Sequence, residues 1–138
     1  MGTISGGPPQ VCQALASGQI RRGHDARILS TLHGLTPDEE RQLRDRWGDR
    51  LTLLPFFYAA GYLRPLRLES ALGSLLPADI VHIHGLWSGL NTAVARRCRK
   101  MGVPYIIRTL GTLGAWALRN SGWKKKIYMW LYERENLE

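Results

Sequence analysis

The residues able to do chemistry in this 138-residue chain gather at the ends of short apolar runs. His82 and His84 alternate in the run DIVHIH and so share one face of a strand, with His84 at its C-terminal end before Gly85-Leu86-Trp87. His84 reads either as a ligand contact or as a structural residue, and His82 as a core histidine with satisfied hydrogen bonds. Arg108 and Thr109 close a later run, VPYIIRT, and Gly111-Thr112-Leu113-Gly114 continues from it. A guanidinium there can hold a phosphate or a group of sugar hydroxyls, or it can pair with a nearby carboxylate. Gly6-Gly7-Pro8 stands between a short N-terminal strand and a helix. There two glycines let the backbone approach a ligand and free N–H groups face an anion such as a nucleotide phosphate. The same residues also make an ordinary turn, and no complete dinucleotide or P-loop glycine pattern accompanies them.

Other chemistry is missing from the pattern. No nucleophile has a neighbouring base, and no paired carboxylates sit near the strand ends, so no hydrolase constellation is legible and no catalytic residue is assigned. Two histidines without a third ligand at suitable spacing give no reason to expect a metal. Cys12 and Cys98 lie far apart, outside any CxxC pair, and read as free, mostly buried thiols. His24, in RRGHDAR, reads as a capping residue at a helix-to-strand turn. A last candidate is the run WKKKIYMWLYER, where Trp123, Ile127, Trp130 and Leu131 share one helical face behind Lys124, Lys125 and Lys126. Packing of that stripe on a sheet is the ordinary expectation, and contact with an anionic membrane surface is the functional one.

The elements that position these residues alternate between short apolar runs and longer amphipathic stretches, the pattern of α/β proteins with a parallel sheet. Val11, Leu15 and Ile20 recur at helical spacing over 8–22, and Gly23 stops that helix. Ala26–Ser30 is a strand. Thr36-Pro37-Asp38-Glu39 then supplies an N-cap, a proline and two acids for a helix running to Trp47. Leu51–Leu54 is a strand, and Leu63–Leu76 reads as a helix with Leu66, Leu68, Leu72 and Leu75 or Leu76 on its apolar face, ended by Pro77. Asp79–His84 is a strand, Ser88–Met101 a helix capped by Gly102, Val103–Thr109 a strand, and a final helix runs from Trp123. In a doubly wound sheet of order 3-2-1-4-5 the first strand is central, yet only Met1–Ser5 precede the glycines, so that strand is short or truncated.

Composition narrows the classes further. Nineteen Lys and Arg against eleven Asp and Glu leave a net charge of +8, but charged residues make up only 22% of the chain, as in an ordinary folded domain rather than a disordered polycation. The longest apolar stretch, Leu51–Leu63, is interrupted by Thr52, Pro55 and Gly61 and falls short of the ~20 residues of a membrane span. The first residues have neither the basic nor the apolar region of a signal peptide, which with reduced thiols points to the cytoplasm. Basic residues are scattered over Arg21-Arg22, Arg96-Arg97, Arg99-Lys100 and Lys124–Lys126 without interleaved stacking aromatics, which argues against a nucleic-acid partner.

GGPPQVCQALASGQIRRGHDARILS resembles the opening of the N-terminal domain of family-four glycosyltransferases, retaining enzymes of the GT-B fold. DIVHIHGLW, and then GVPYIIRTLGTLGAWALRNSGWKKKIYMWLYERENL, are similar to the second half of that domain. The resemblance implies one Rossmann-like, three-layer αβα domain over residues 1–138 that receives the acceptor. It also implies a fragment, since the donor-binding C-terminal domain with its paired glutamates is absent. The whole enzyme would transfer a sugar with retention from a nucleotide-sugar donor to a glycan or lipid-linked acceptor, with no cofactor and no metal. It would work in the cytoplasm or at the inner face of the membrane. By position, Gly6 and Gly7 match the loop that approaches the donor phosphates, His84, Gly85 and Trp87 a segment lining the cleft, and Arg108, Thr109 and Gly111 the next cleft loop. Leu110 stands where many members carry a histidine, so a contact made by that histidine is lost or reassigned. A peripheral membrane or glycan-binding module without catalysis is the alternative, and a nucleic-acid-binding domain, suggested by the basic composition alone, ranks behind it.

Overall fold

A computed structural model of the chain describes residues 7–59, 62–113, 127–130 and 134–137, which fall into two compact units, Met1–Leu75 and Leu76–Glu138. The fold class is α/β with short parallel strand pairs, as a Rossmann-like domain requires. Each unit contains one strand–helix–strand repeat with its two strands parallel, the connection that parallel pairing demands. The N-terminal strand expected over Met1–Ser5 lies outside the described residues.

The first unit opens with α1 (Gly7–Arg21), whose two prolines sit in the first turn where no intrahelical N–H is needed. Ala16 is its buried residue, with Cys12 and Ile20 packed beside it, so the inward stripe runs one residue after the Val11 and Leu15 expected to lead it. The helix stops at Gly23, which takes a φ of 88°. The backbone N–H of His24 closes the last turn on the Gln19 carbonyl at 3.1 Å, so its capping contribution comes from the main chain.

Strand β1 (Ile28–Thr31) pairs in parallel with β2 (Leu51–Leu54), with Ile28 beside Leu51. Between them lies α2 (Pro37–Trp47), whose start is a complete capping box. The Glu39 N–H donates to the Thr36 hydroxyl at 3.3 Å, and the Glu39 carboxylate accepts from the Thr36 N–H at 2.8 Å. Leu43 and Trp47, one turn apart on α2, close over Ile28, Leu51 and Leu53 to form the core of this unit. Replacing Thr36 by Ala removes one half of the box and should cost about 1 kcal/mol, read as a lower urea midpoint with an unchanged slope.

The helix expected over Leu63–Leu76 is shorter, and a hairpin takes its first part. Strand β3 (Phe56–Ala59) runs antiparallel to β4 (Tyr62–Pro65). The Leu66 N–H closes the base of the hairpin on the Pro55 carbonyl at 2.7 Å. Arg67 then takes a φ of 56°, left-handed backbone that a helix cannot pass through, so α3 begins only at Leu68 and ends at Leu75. Leu72 and Ala71 are its buried residues, whereas Leu66 falls before the helix and is exposed.

In the second unit β5 (Val81–His84) and β6 (Tyr105–Arg108) are joined by α4 (Gly89–Met101). That helix buries Thr92, Val94, Ala95 and Cys98. Its end is a Schellman motif: Gly102, at φ 67°, donates to the Arg99 carbonyl at 3.2 Å, and Val103 donates to Cys98 at 2.9 Å. Residues 127–130 are helical, and α5 spans Arg134–Leu137. The apolar stripe expected to pack inward is turned outward where it is described. Trp130 is 71% exposed and Ile127 49%, while Tyr128 is buried. The cause is polar: the Tyr128 hydroxyl hydrogen-bonds the buried Thr92 hydroxyl at 2.8 Å and so sets which side of the helix faces in. Trp123 and Leu131 lie outside the described residues.

Candidate functional site

The C-terminal ends of β5 and β6 lie side by side, because the register pairs His84 with Arg108 and His82 with Ile106. In open α/β sheets ligands bind beyond this end of the strands. His84, Gly85, Trp87, Arg108, Thr109 and Gly111, separated by up to 27 positions in the sequence, thus converge on one edge of the second unit.

Both loops that leave these strands use left-handed backbone. Gly85 has φ 90° and Gly111 φ 79°, which glycine accommodates, but Trp87 at φ 66° and Leu110 at φ 52° carry side chains that make this conformation costly. Specific bonds hold them there. The Trp87 indole N–H donates to the Thr112 carbonyl at 3.3 Å, tying one loop to the other, and its ring meets Tyr128 edge to face at 6.1 Å. The Asn91 amide, in the first turn of α4, donates to the carbonyls of His84 and Gly85 at 3.1 and 3.0 Å. Thr112 closes its own turn by donating from both its N–H and its hydroxyl to the Thr109 carbonyl. Trp87 therefore works as a strut between loops, and Leu110 occupies its position through backbone geometry.

The two polar side chains at the strand ends are left for something else. His84 is half-buried, and its Nδ1 is shielded from solvent with no hydrogen-bond partner. Burial pushes its pKa below the usual 6.5, and the neighbouring His82 and Arg108 push it further in the same direction. Arg108 is exposed and makes no ion pair among the described residues, so the carboxylate partner that its sequence context allowed is not found there.

His82 is not the core histidine expected of it. It is exposed, because β5 turns Ile83 into the core and presents the His82 and His84 side outward, next to an Ile106 that is 49% exposed. The depressed His84 pKa has a sign that can be checked. The unfolded chain takes up the proton first, so stability should fall as pH drops below about 6.5 and level off below the lower folded pKa. His84→Gln should flatten that part of a urea-midpoint against pH curve.

The remaining candidates are less fully placed. Gly7 opens α1, and Gly6 lies outside the described residues, as do Trp123, Lys124, Lys125 and Lys126. No group of three or more His, Cys, Asp or Glu side chains among the described residues could hold a metal. Cys12 and Cys98 are free, and burial raises both thiol pKa values, so neither is an activated nucleophile.

One feature escaped the sequence reading. His33, in the turn after β1, and Phe56 and Tyr58 of β3 form a mutually edge-to-face trio in the first unit, with centroids 5.4 to 6.0 Å apart. Its signal was present in the aromatic run FFYA, separated by two residues from YLRP.

Comparison with known proteins gives one result. A family model described as a glycosyl transferase 4-like domain matches residues 6–138. No curated protein and no solved structure matches the chain.

Proposed function

The chain belongs to the glycosyl transferase 4-like domain family, and from that membership we propose that it is the acceptor-side half of a retaining enzyme moving a sugar from a nucleotide-sugar donor to a glycan or lipid-linked acceptor. In such a transfer the bond between the anomeric carbon and the donor diphosphate breaks. The acceptor hydroxyl oxygen takes its place on that carbon, and the hydroxyl proton leaves with the diphosphate. This half need supply no nucleophile: its task is to place the acceptor hydroxyl and to offer donors where negative charge develops.

The observation that carries this reading is the strand-end cluster. Two loops are braced against each other by Trp87 and Thr112, and beside them His84 Nδ1 and the Arg108 guanidinium have no partner among the described residues. In the same reading Gly6 and Gly7 bring backbone N–H groups toward the donor phosphates, and His84, Gly85, Trp87, Arg108, Thr109 and Gly111 line the acceptor side of a cleft.

The protein containing this chain, supplied with labelled nucleotide-sugars and a lipid extract, should transfer label to an acceptor with the anomeric configuration kept. An inverted product, or no transfer from any donor, would overturn the proposal.

A second reading, docking on an anionic membrane, draws support from the exposed Ile127 and Trp130 that follow Lys124–Lys126 in the sequence. No helix among the described residues is long and apolar enough to cross a membrane, so such contact would be peripheral. It predicts co-sedimentation with phosphatidylglycerol vesicles that weakens in salt and with Trp130→Ala; equal binding to neutral vesicles would remove it.

A further inference from the structure

The distribution of charge in the second unit is one-sided. Residues 76–138 hold ten Lys and Arg against four Asp and Glu, and from Ile80 to Tyr132 there is no acidic residue at all. The first unit is nearly balanced by comparison, with nine Lys and Arg against seven Asp and Glu. Within this basic stretch His84 and Arg108 are register partners on adjacent parallel strands, so their side chains leave the same face at the spacing of neighbouring strands, about 4.8 Å. His82 lies on that face two residues behind, and the other residue there, Ile106, carries no charge.

We infer that His84 and Arg108 form an oxyanion site, and that the acceptor taken by this chain carries a phosphate ester; the inference rests on the acceptor reading above. Three observations support it. The Nδ1 of His84 is buried without a partner, and Arg108 has no carboxylate among the described residues, so each has hydrogen-bonding capacity unused. A neutral sugar hydroxyl can satisfy one of these groups, but it does not offset the Arg108 charge that stands beside a protonatable histidine inside an acid-free stretch. A tetrahedral phosphate presents two oxygens to the guanidinium fork and a third to the imidazole, which a planar carboxylate does less well.

Binding is then linked to a proton. In the free chain burial, His82 and Arg108 all disfavour protonated His84. Among the described residues the charged or titratable groups facing it are His82 on its own strand and Arg108 on β6, and α4 brings only neutral side chains in its first two turns, Gly89 to Ala95. An arriving oxyanion reverses the balance, so His84 takes up a proton on binding, and affinity rises as pH falls until His84 is already protonated in the free chain.

The test uses the intact chain titrated with dimethyl phosphate, whose charge is constant through the neutral range, with glucose as the neutral control. The readout is the imidazole proton resonance of His84, assigned by its loss in His84→Gln. Expected are a saturable shift with dimethyl phosphate alone, a raised His84 pKa in its presence, and affinity reduced about tenfold in Arg108→Gln but not in Lys100→Gln. No shift at His84, or equal losses in the two charge variants, would overturn the site.

Transfer assays on the protein containing this chain then compare a sugar linked to isoprenyl phosphate with the same sugar on a neutral alkyl chain. Preference for the phosphate-bearing acceptor, abolished by Arg108→Gln, supports the inference. Equal use of both acceptors overturns it and leaves the acceptor reading standing. Phosphate binding lost in Arg108→Gln with transfer unaltered overturns the acceptor reading and the inference together.

Discussion

Arg108→Gln should lower kcat/KM for sugar transfer about a hundredfold while leaving the unfolding curve where it is. The two halves of this expectation come from one fact: the guanidinium is exposed at the end of β6 and forms no ion pair among the described residues. Its removal therefore leaves no buried group without a partner and changes stability little. A donor aimed at a substrate oxyanion is a different matter, since losing one charge-assisted hydrogen bond in a closed site costs about 2.7–4 kcal/mol of transition-state stabilisation. Arg108→Lys should recover only part of the loss, because an ammonium keeps the charge but not the two-pronged geometry. Steady-state kinetics with the acceptor varied, beside urea denaturation of the same preparations, separate the two effects. An unaltered kcat/KM would remove Arg108 from the site.

The second large effect concerns stability. Trp47→Ala should cost about 3–5 kcal/mol, a large fraction of the ~5–15 kcal/mol that holds an ordinary domain together. Trp47 is buried among Ile28, Leu43, Leu51 and Leu53, and its indole N–H donates to the Gln13 side chain at 3.3 Å, joining α2 to α1. Truncation to Ala opens a cavity where α1, α2 and the β1–β2 pair meet and leaves the Gln13 acceptor without this donor. Trp47→Phe keeps most of the ring and loses the N–H, so its cost should be nearer 1 kcal/mol. Urea midpoints of the two variants compare packing with hydrogen bonding; equal midpoints would mean that the ring contributes little to this core.

Local signals carried much of the reading from sequence. Thr36-Pro37-Asp38-Glu39 specifies a helix start almost by itself, since cap, proline and reciprocal Glu39 all act within one turn, and α2 begins there. Gly23 and Gly102 mark helix ends for the same reason: the left-handed residue after a helix is chosen by its own backbone. The run DIVHIH followed by glycine gave the position of β5, and with it the placement of His84 at a strand end. The family resemblance carried by these segments agrees with the family match over residues 6–138.

The misread segments lack such signals. Leucines spaced over 63–76 fit a helical face, and the choice between helix and hairpin falls to β3, a partner preceding them in sequence, and to the left-handed Arg67. His82 and His84 have identical alternation patterns and share one face, and only the tertiary packing around the end of β5 separates the exposed His82 from the half-buried His84. The C-terminal stripe faces outward because a hydroxyl pair, Tyr128 with Thr92, spans 36 positions, which no periodicity can contain.

The amino-acid sequence alone determined that this is an α/β protein, where its capped helices and most of its strands lie, and which family it resembles, because caps, periodicity and short motifs are properties of a few consecutive residues. Only the tertiary structure decided that His84 and Arg108 stand side by side, that His84 keeps a buried nitrogen without a partner, and that Trp87 braces two loops instead of standing free. Those facts depend on register and burial, which arise when distant segments exclude water from one another, and a linear pattern does not record which segments meet.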